Sequence, residues 1–146
     1  TMCIEFARNV LGYSDANSTE IDESTTHNVV DIMDEQKNIL NLGGSMRLGA
    51  YKCKLKKGSR AYQIYGKENI SERHRHRFEF NNTYKEEFEK AGMICSGLNE
   101  ESNLVEIVEL KNHKWYIGVQ FHPEYSSTVI KPHPLFIDFI KAAITK

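Results

Sequence analysis

An apolar segment runs directly into a charged turn in the stretch WYIGVQFHPE, residues 115–124. Most of its first seven residues are aromatic or β-branched, which predicts a β-strand. Because α/β proteins place reactive groups where strands end, the tripeptide that closes this stretch is the first candidate for chemistry.

The tripeptide His122-Pro123-Glu124 places a carboxylate two residues after a titratable base. Pro123 restricts the backbone between the two side chains. A carboxylate hydrogen-bonded to an imidazole holds its tautomer and stabilises its charged form, as in nucleophile triads. The same residues also fit a strand-end turn with an exposed histidine and a solvated glutamate. Both interpretations stay open at this point.

Outward from this turn, strands and helices alternate along the chain. Ser59 predicts the N-cap of a short helix that runs to Tyr65 and ends at Gly66. Residues 134–144 predict an amphipathic helix, and residues 104–110 a strand covered on both faces. No internal repeat or low-complexity segment interrupts the pattern. The sequence therefore predicts a three-layer α/β domain.

The N-terminal segment predicts a helix over residues 2–11, because Met2, Phe6 and Val10 repeat at intervals of four. Residues 13–20 are polar and rich in turn formers, which predicts a surface loop. The helix has no capping residue and no strand before it. We therefore expect it to continue a domain whose first strands precede residue 1.

Composition limits the class of protein. The 146 residues are 40% hydrophobic and 27% charged, with a formal net charge of −1, values typical of a globular domain. The near-neutral charge argues against a broad nucleic-acid footprint, and no apolar run approaches the roughly 20 residues of a membrane span. The three cysteines show no paired spacing. We therefore expect no disulfides, and a cytoplasmic location.

A basic strand is predicted from Arg73 to Phe80, starting with the sequence RHRHR. Alternation in a strand puts the arginines on one face and His74 and His76 on the other. Like charges on one face repel, so an anion or several partner carboxylates would stabilise them. The His-x-His spacing also suits a metal, but no Cys or Asp cluster lies nearby, and no metal is predicted. A solvated edge strand and an anion or nucleic-acid binder are the alternatives.

None of the cysteines fits a nucleophile elbow, which needs small residues on both sides of the thiol. Cys95 comes closest because Gly97 follows it, but Met93 occupies the position of the first glycine. Free cysteines are commonly buried, so packing is the interpretation for all three. A replacement nucleophile at Cys95, paired with His122, is the alternative.

Six motifs together resemble the C-terminal, triad-type (class I) glutamine amidotransferase domain of the CTP synthase family. The resemblance covers essentially the whole chain and implies a three-layer, flavodoxin-like α/β fold whose N-terminal strands are missing here. The motifs are IEFARNV (4–10), ANSTE (16–20), GGSMRLG (43–49), RHRHRF (73–78), GVQFHPEY (118–125) and KPHPLF (131–136).

The resemblance also implies residue roles. His122 would act as base and then as acid to the leaving ammonia, and Glu124 would orient it. Glu20 and Arg77 would contact the amino-acid head of L-glutamine, which suits their charges. The family's nucleophilic cysteine lies just before the position of residue 1. We therefore expect this chain alone not to hydrolyse glutamine.

The family's partners follow from the same resemblance. Ammonia would pass to an N-terminal synthetase domain, where ATP and Mg²⁺ activate UTP to form CTP, and the parent would be a homotetramer. GTP would stimulate the glutaminase as an allosteric activator, and the segment leading to Arg47 resembles its mobile lid. No cofactor or metal is expected on residues 1–146 themselves. The alternative is a non-catalytic, amidotransferase-like module that binds glutamine or a partner.

Overall fold

A computed structural model describes residues 1–32 and 46–145. These form two compact units, the first within residues 1–47 and 76–91 and the second within residues 48–75 and 92–146. No helix in the described ranges is long and apolar enough to cross a membrane. The elements are α1 (Met2–Asn9), β1 (Asn17–Ser18), β2 (Asn28–Ile32), β3 (Arg47–Leu55), α2 (Arg60–Tyr65), β4 (Asn69–His76), β5 (Phe78–Phe80), α3 (Lys85–Lys90), β6 (Met93–Asn99), β7 (Leu104–Leu110), β8 (Ile117–Val119) and α4 (Pro134–Ile144).

The first unit contains a three-stranded sheet in the order β1-β2-β5. Strand β1 runs parallel to β2, and β5 runs antiparallel to it, with Ile32 opposite Phe78. The ring of Phe88 on α3 lies 5.3 Å from Phe6 on α1 and 5.2 Å from Phe80 on β5. These three buried rings join the two helices to the sheet.

The second unit contains a five-stranded sheet in the order β4-β3-β6-β7-β8. Strand β7 is central to the antiparallel β6-β7-β8 ladder, and six of its seven residues are buried, as the lack of alternation predicted. Helices α2 and α4 contribute Ala61 and Leu135 to a core that includes Leu55 and Ile107 of the sheet. This core supports the end of β8, where the candidate turn begins.

Local signals predicted several elements correctly. Ser59 Oγ accepts the N–H of Tyr62 at 3.0 Å, and Gly66 ends α2 in the left-handed conformation with φ of 65°. Helix α4 has the predicted bounds, with Pro134 in its first turn. Each of these signals acts within a few residues, so tertiary structure did not need to supply it.

The predictions for residues 13–20 and 73–80 were wrong in detail. The predicted loop over residues 13–20 contains the two-residue strand β1, which exists through its pairing with β2. The predicted strand over residues 73–80 breaks at Arg77, because β4 belongs to the five-stranded sheet and β5 pairs with β2. Of the predicted lid segment, residues 43–45 lie outside the described residues, whereas residues 47–49 open β3.

Candidate active site

His122 lies just after β8, in a turn that follows the buried Phe121. Its backbone N–H donates to the carbonyl oxygen of Arg73 on β4 at 2.8 Å. Pro123 then opens a 3₁₀ turn over Pro123–Ser126, a position where a missing N–H and a fixed φ are tolerated. The core and the sheet thus fix where the His122 side chain begins.

His122 and Glu124 form a hydrogen-bonded dyad. The Nδ1–H of His122 donates to Glu124 Oε1 at 2.7 Å, which places the neutral imidazole's acceptor on Nε2. The two side chains are 36% and 56% exposed. The pairing interpretation of the tripeptide is the one observed, in a position that a substrate can reach.

Glu124 is held in its charged form. Partial burial by itself would raise the pKa of this carboxyl, but a backbone hydrogen bond and the bond from His122 outweigh it, and the pKa falls below its ordinary value of 4.5. At neutral pH the dyad therefore presents a carboxylate to the imidazole. An imidazolium formed during proton transfer would be stabilised by this charge.

Tyr125 adds an aromatic neighbour to the dyad. Its ring centroid lies 5.4 Å from the His122 ring, and the guanidinium carbon of Arg73 lies 5.3 Å from the Tyr125 centroid. Arg73 therefore meets the turn through its backbone carbonyl and its side chain. Arg73, one residue of the arginine face predicted for β4, is used in this contact.

Glu20 and Arg77 both belong to the first unit and lie at one end of its sheet. Glu20 is two residues beyond the end of β1, and Arg77 immediately precedes β5. Because β1 is parallel and β5 antiparallel to β2, both positions flank the end of β2 at Ile32. Two strand spacings separate β1 from β5, roughly 10 Å. The topology thus brings together two charges that are far apart in sequence.

The side chain of Arg77 carries an enclosed donor nitrogen. It is half-buried, and its Nε is enclosed with no acceptor among the residues that the structure describes. The neighbouring Glu79 is instead close to Arg47 Nη1 at 3.6 Å and His76 Nδ1 at 3.3 Å. A buried guanidinium nitrogen without a partner is costly, and an anionic ligand would satisfy it.

The cysteines do not supply a nucleophile to His122. Burial raises the pKa of Cys3 to about 11, so its thiol stays protonated at neutral pH. Cys53 is buried in the core of the second unit. Cys95 pairs with Val108 on β7, two strands from β8. The register puts it about four residues from the level of His122, roughly 13 Å along the sheet.

A buried network beside the turn was missed by the sequence reasoning. Glu72 Oε1 accepts the Tyr65 hydroxyl at 2.9 Å and lies 2.9 Å from His133 Nε2. Burial, reinforced by the charge of Glu72, raises the pKa of Tyr65 far above its ordinary value, so its hydroxyl stays a donor. Pro134 is a helix-start signal, so the sequence could identify His133, the residue before it, as an N-cap. It could not identify Glu72 as the partner of His133.

Comparison with known proteins decides the family. The family described as glutamine amidotransferase class-I matches residues 1–142. The chain belongs to the class-I glutamine amidotransferases. The fold class and the family resemblance predicted from the motifs are confirmed.

Similar class-I amidotransferases include a CTP synthase from Bacteroides fragilis, 70% identical over 145 residues, which are 99% of this chain and 27% of the relative. A CTP synthase from Bacteroides thetaiotaomicron is 68% identical over 143 residues, again 27% of its length. A solved structure of the Trypanosoma brucei CTPS glutaminase domain with bound acivicin has a TM-score of 0.91 and 40% identity, and covers 97% of this chain and 55% of that one. The chain thus spans about a quarter of the curated relatives it matches.

Proposed function

We propose that this chain is the glutaminase part of a CTP synthase, in which glutamine is hydrolysed to supply ammonia. The observation that carries the proposal is the 2.7 Å bond between His122 Nδ1 and Glu124 Oε1, in a chain of the class-I amidotransferase family. The CTP synthases that match nearly all of this chain support the choice of parent enzyme.

His122 and Glu124 carry the proton transfers in this proposal. His122 Nε2 accepts the proton of a cysteine thiol supplied by the preceding part of the parent protein, and the thiolate attacks the amide carbon of glutamine. The same nitrogen returns the proton to the leaving group, so that ammonia departs and a thioester remains. Water then attacks the thioester while giving a proton to His122, the carbon–sulfur bond breaks, the leaving thiolate takes that proton back from His122, and glutamate is released. Glu124 stabilises the imidazolium in each half-reaction.

Glu20 and Arg77 bind the amino-acid head of glutamine in this proposal. The Glu20 carboxylate holds the α-ammonium, and the Arg77 guanidinium holds the α-carboxylate. The Nε of Arg77, which has no acceptor among residues 1–32 and 46–145, supports this role, because a substrate carboxylate would provide one. Glu20 supports it through its exposure and its position at the same end of the sheet.

The parent protein supplies the remaining chemistry. Its synthetase domain, with ATP and Mg²⁺, activates UTP and uses the ammonia to form CTP, and GTP stimulates the glutaminase. We propose that the parent protein is a cytoplasmic homotetramer. We also propose that residues 1–146 themselves bind no cofactor, metal, nucleic acid or membrane. The 146-residue chain alone is proposed to be inactive, because the nucleophile belongs to the preceding segment.

The test replaces the matching segment of the Bacteroides fragilis CTP synthase with this chain, which is 70% identical to it. We expect the full-length chimera to release ammonia from glutamine and to form CTP. His122→Ala should lower kcat for glutamine hydrolysis by about 10²- to 10⁴-fold. The matched control is His113→Ala, at another exposed histidine, and should leave kcat unchanged.

Arg77→Ala in the same chimera tests the binding role. Loss of a charge-assisted contact to the substrate should raise KM for glutamine by about 10- to 100-fold, with a smaller change in kcat. A chimera that binds glutamine without releasing ammonia would instead support the non-catalytic module. Retained activity in His122→Ala would overturn the assignment of the base.

A further inference from the structure

A closed ring of contacts holds the turn that carries His122 and Glu124. At one end of the turn, His122 N–H donates to the Arg73 carbonyl at 2.8 Å. Arg73 is covalently next to Glu72, whose side chain faces the opposite side of β4 and is buried. The strand residue that fixes His122 is thus adjacent to the network missed by the sequence reasoning.

The other end of the turn leads to the same network. Ser127 N–H donates to the Glu124 carbonyl at 3.3 Å, and Ser127 Oγ accepts the backbone N–H of His133 at 3.0 Å. His133 Nδ1 accepts the N–H of Leu135 at 3.3 Å, which leaves the ring proton on Nε2. That Nε2–H donates to Glu72 Oε1 at 2.9 Å. The ring therefore closes at Glu72.

We infer that Glu72 and His133 are positioning residues that hold the His122–Glu124 turn in its productive geometry. Together with Arg73, His122 and Ser127 they form what we call the clasp. The inference rests on the proposed roles of His122 and Glu124. Neither Glu72 nor His133 touches the reacting atoms in this proposal, and both act through the backbone at the two ends of the turn.

Burial explains why the clasp is suited to this role. The side chains of Glu72 and His133 are only 6% and 3% exposed, so water does not compete for their bond. The dyad itself is solvent-accessible, with side chains that are 36% and 56% exposed. A short exposed turn keeps a fixed geometry only if its ends are attached to rigid elements, here β4 and α4.

The test opens the clasp at two different bonds in the full-length chimera. His133→Asn keeps an N-cap for α4 and the backbone N–H to Ser127 but removes the imidazole that reaches Glu72. Ser127→Ala removes the hydroxyl that accepts from His133. The matched control is Tyr65→Phe, which removes the hydroxyl that donates to the same Glu72 oxygen and lies 3.3 Å from His133 Nε2, but leaves the ring closed.

Each opening variant should lower kcat for glutamine hydrolysis by about 10- to 100-fold. KM for glutamine should change less than about twofold, because Glu20 and Arg77 are untouched. Either substitution alone already opens the ring. The kcat of the double variant should therefore lie within about twofold of the lower of the two single-variant kcat values. Tyr65→Phe should retain kcat. Multiplicative effects of the two openings, or an equal loss in Tyr65→Phe, would overturn the inference.

Hydrogen exchange measured by mass spectrometry gives a readout that does not depend on activity. A peptide covering residues 121–128 should exchange faster in both opening variants, whereas one covering β7 should keep its rate. Unchanged exchange in the turn, or equal acceleration in both peptides, would refute the clasp. If the unsubstituted chimera hydrolyses no glutamine, the proposed function fails, and the exchange result still decides whether the clasp holds the turn. Ser127→Ala provides this result if His133→Asn does not fold.

Discussion

Two His–Glu pairs in the second unit use the same chemistry in different surroundings. His122 and Glu124 are two residues apart, 2.7 Å between their bonded atoms, and 36% and 56% exposed. His133 and Glu72 are 61 residues apart, 2.9 Å between their bonded atoms, and 3% and 6% exposed. Similar bond lengths thus occur in an open pair and in a buried one.

Burial decides what each pair can do. An exposed imidazole can reach a substrate and exchange a proton with it, but its carboxylate partner stabilises the fold very little. A buried pair is strongly coupled to the fold, because removing one partner leaves the other without a hydrogen bond in a dry environment. We therefore assign chemistry to the first pair and positioning to the second.

The largest effect on stability is expected from Glu72→Ala. This change leaves the His133 Nε2–H and the Tyr65 hydroxyl without their acceptor, and should lower the free energy of unfolding by about 3–5 kcal/mol. Glu124→Ala is the matched change at the exposed pair and should cost less than about 1 kcal/mol. Urea unfolding of both variants measures the two changes in the free energy of unfolding. Equal losses of unfolding free energy would show that the buried pair does not stabilise the fold more than the exposed pair.

The exposed pair contributes little to stability, but a change in it should strongly affect activity, and Glu124→Gln tests this. This change keeps the shape of the side chain but removes the charge that stabilises the imidazolium. It should lower kcat of the chimera by roughly 10²-fold. Neutralising a fully buried triad carboxylate lowers kcat by about 10⁴-fold. The loss should be smaller here because water screens the half-exposed Glu124. Steady-state kinetics at saturating glutamine measures it. A kcat within about twofold of that of the unsubstituted chimera would exclude an orienting role for Glu124.

The smallest effect is the titration of Glu124 itself. Its pKa is lowered in the folded chain, so its contribution to stability is present above the ordinary value of 4.5 and is lost as pH falls through the lower folded value. NMR of the carboxyl carbon should give a midpoint below 4.5 in the unsubstituted chain. His122→Ala should move this midpoint upward. A midpoint at or above 4.5 in the unsubstituted chain would show that the dyad bond does not form in solution.

The sequence predicted the exposed pair and missed the buried one for a physical reason. His122, Pro123 and Glu124 are consecutive, and the proline limits the conformations between the two side chains, so their bond depends on local geometry. Glu72 and His133 meet because β4 and α4 pack in the same unit. Nothing in either local sequence specifies that meeting. The lack of alternation in β7 correctly indicated that the strand is covered, but not what covers it.

The helices and strands show the same division between local and long-range causes. Helix α2 was predictable because Ser59 and Gly66 cap it within its own turns. Strand β1 was not, because two residues become a strand only when β2 supplies its backbone partner. The break at Arg77 was missed because neighbouring residues pair with strands of different sheets. That break places Arg77 immediately before β5, where its Nε has no acceptor in the described part of the chain.

The sequence by itself determined the α/β class, the family, the helix caps and the candidate dyad, because each depends on residue types at short fixed spacings. Only the tertiary structure decided that Glu20 and Arg77 lie at one end of a sheet, that Cys95 lies far from His122, and that Glu72 and His133 close a ring behind the His122–Glu124 turn. These relations depend on strand order and helix packing, which bring together residues from distant parts of the chain.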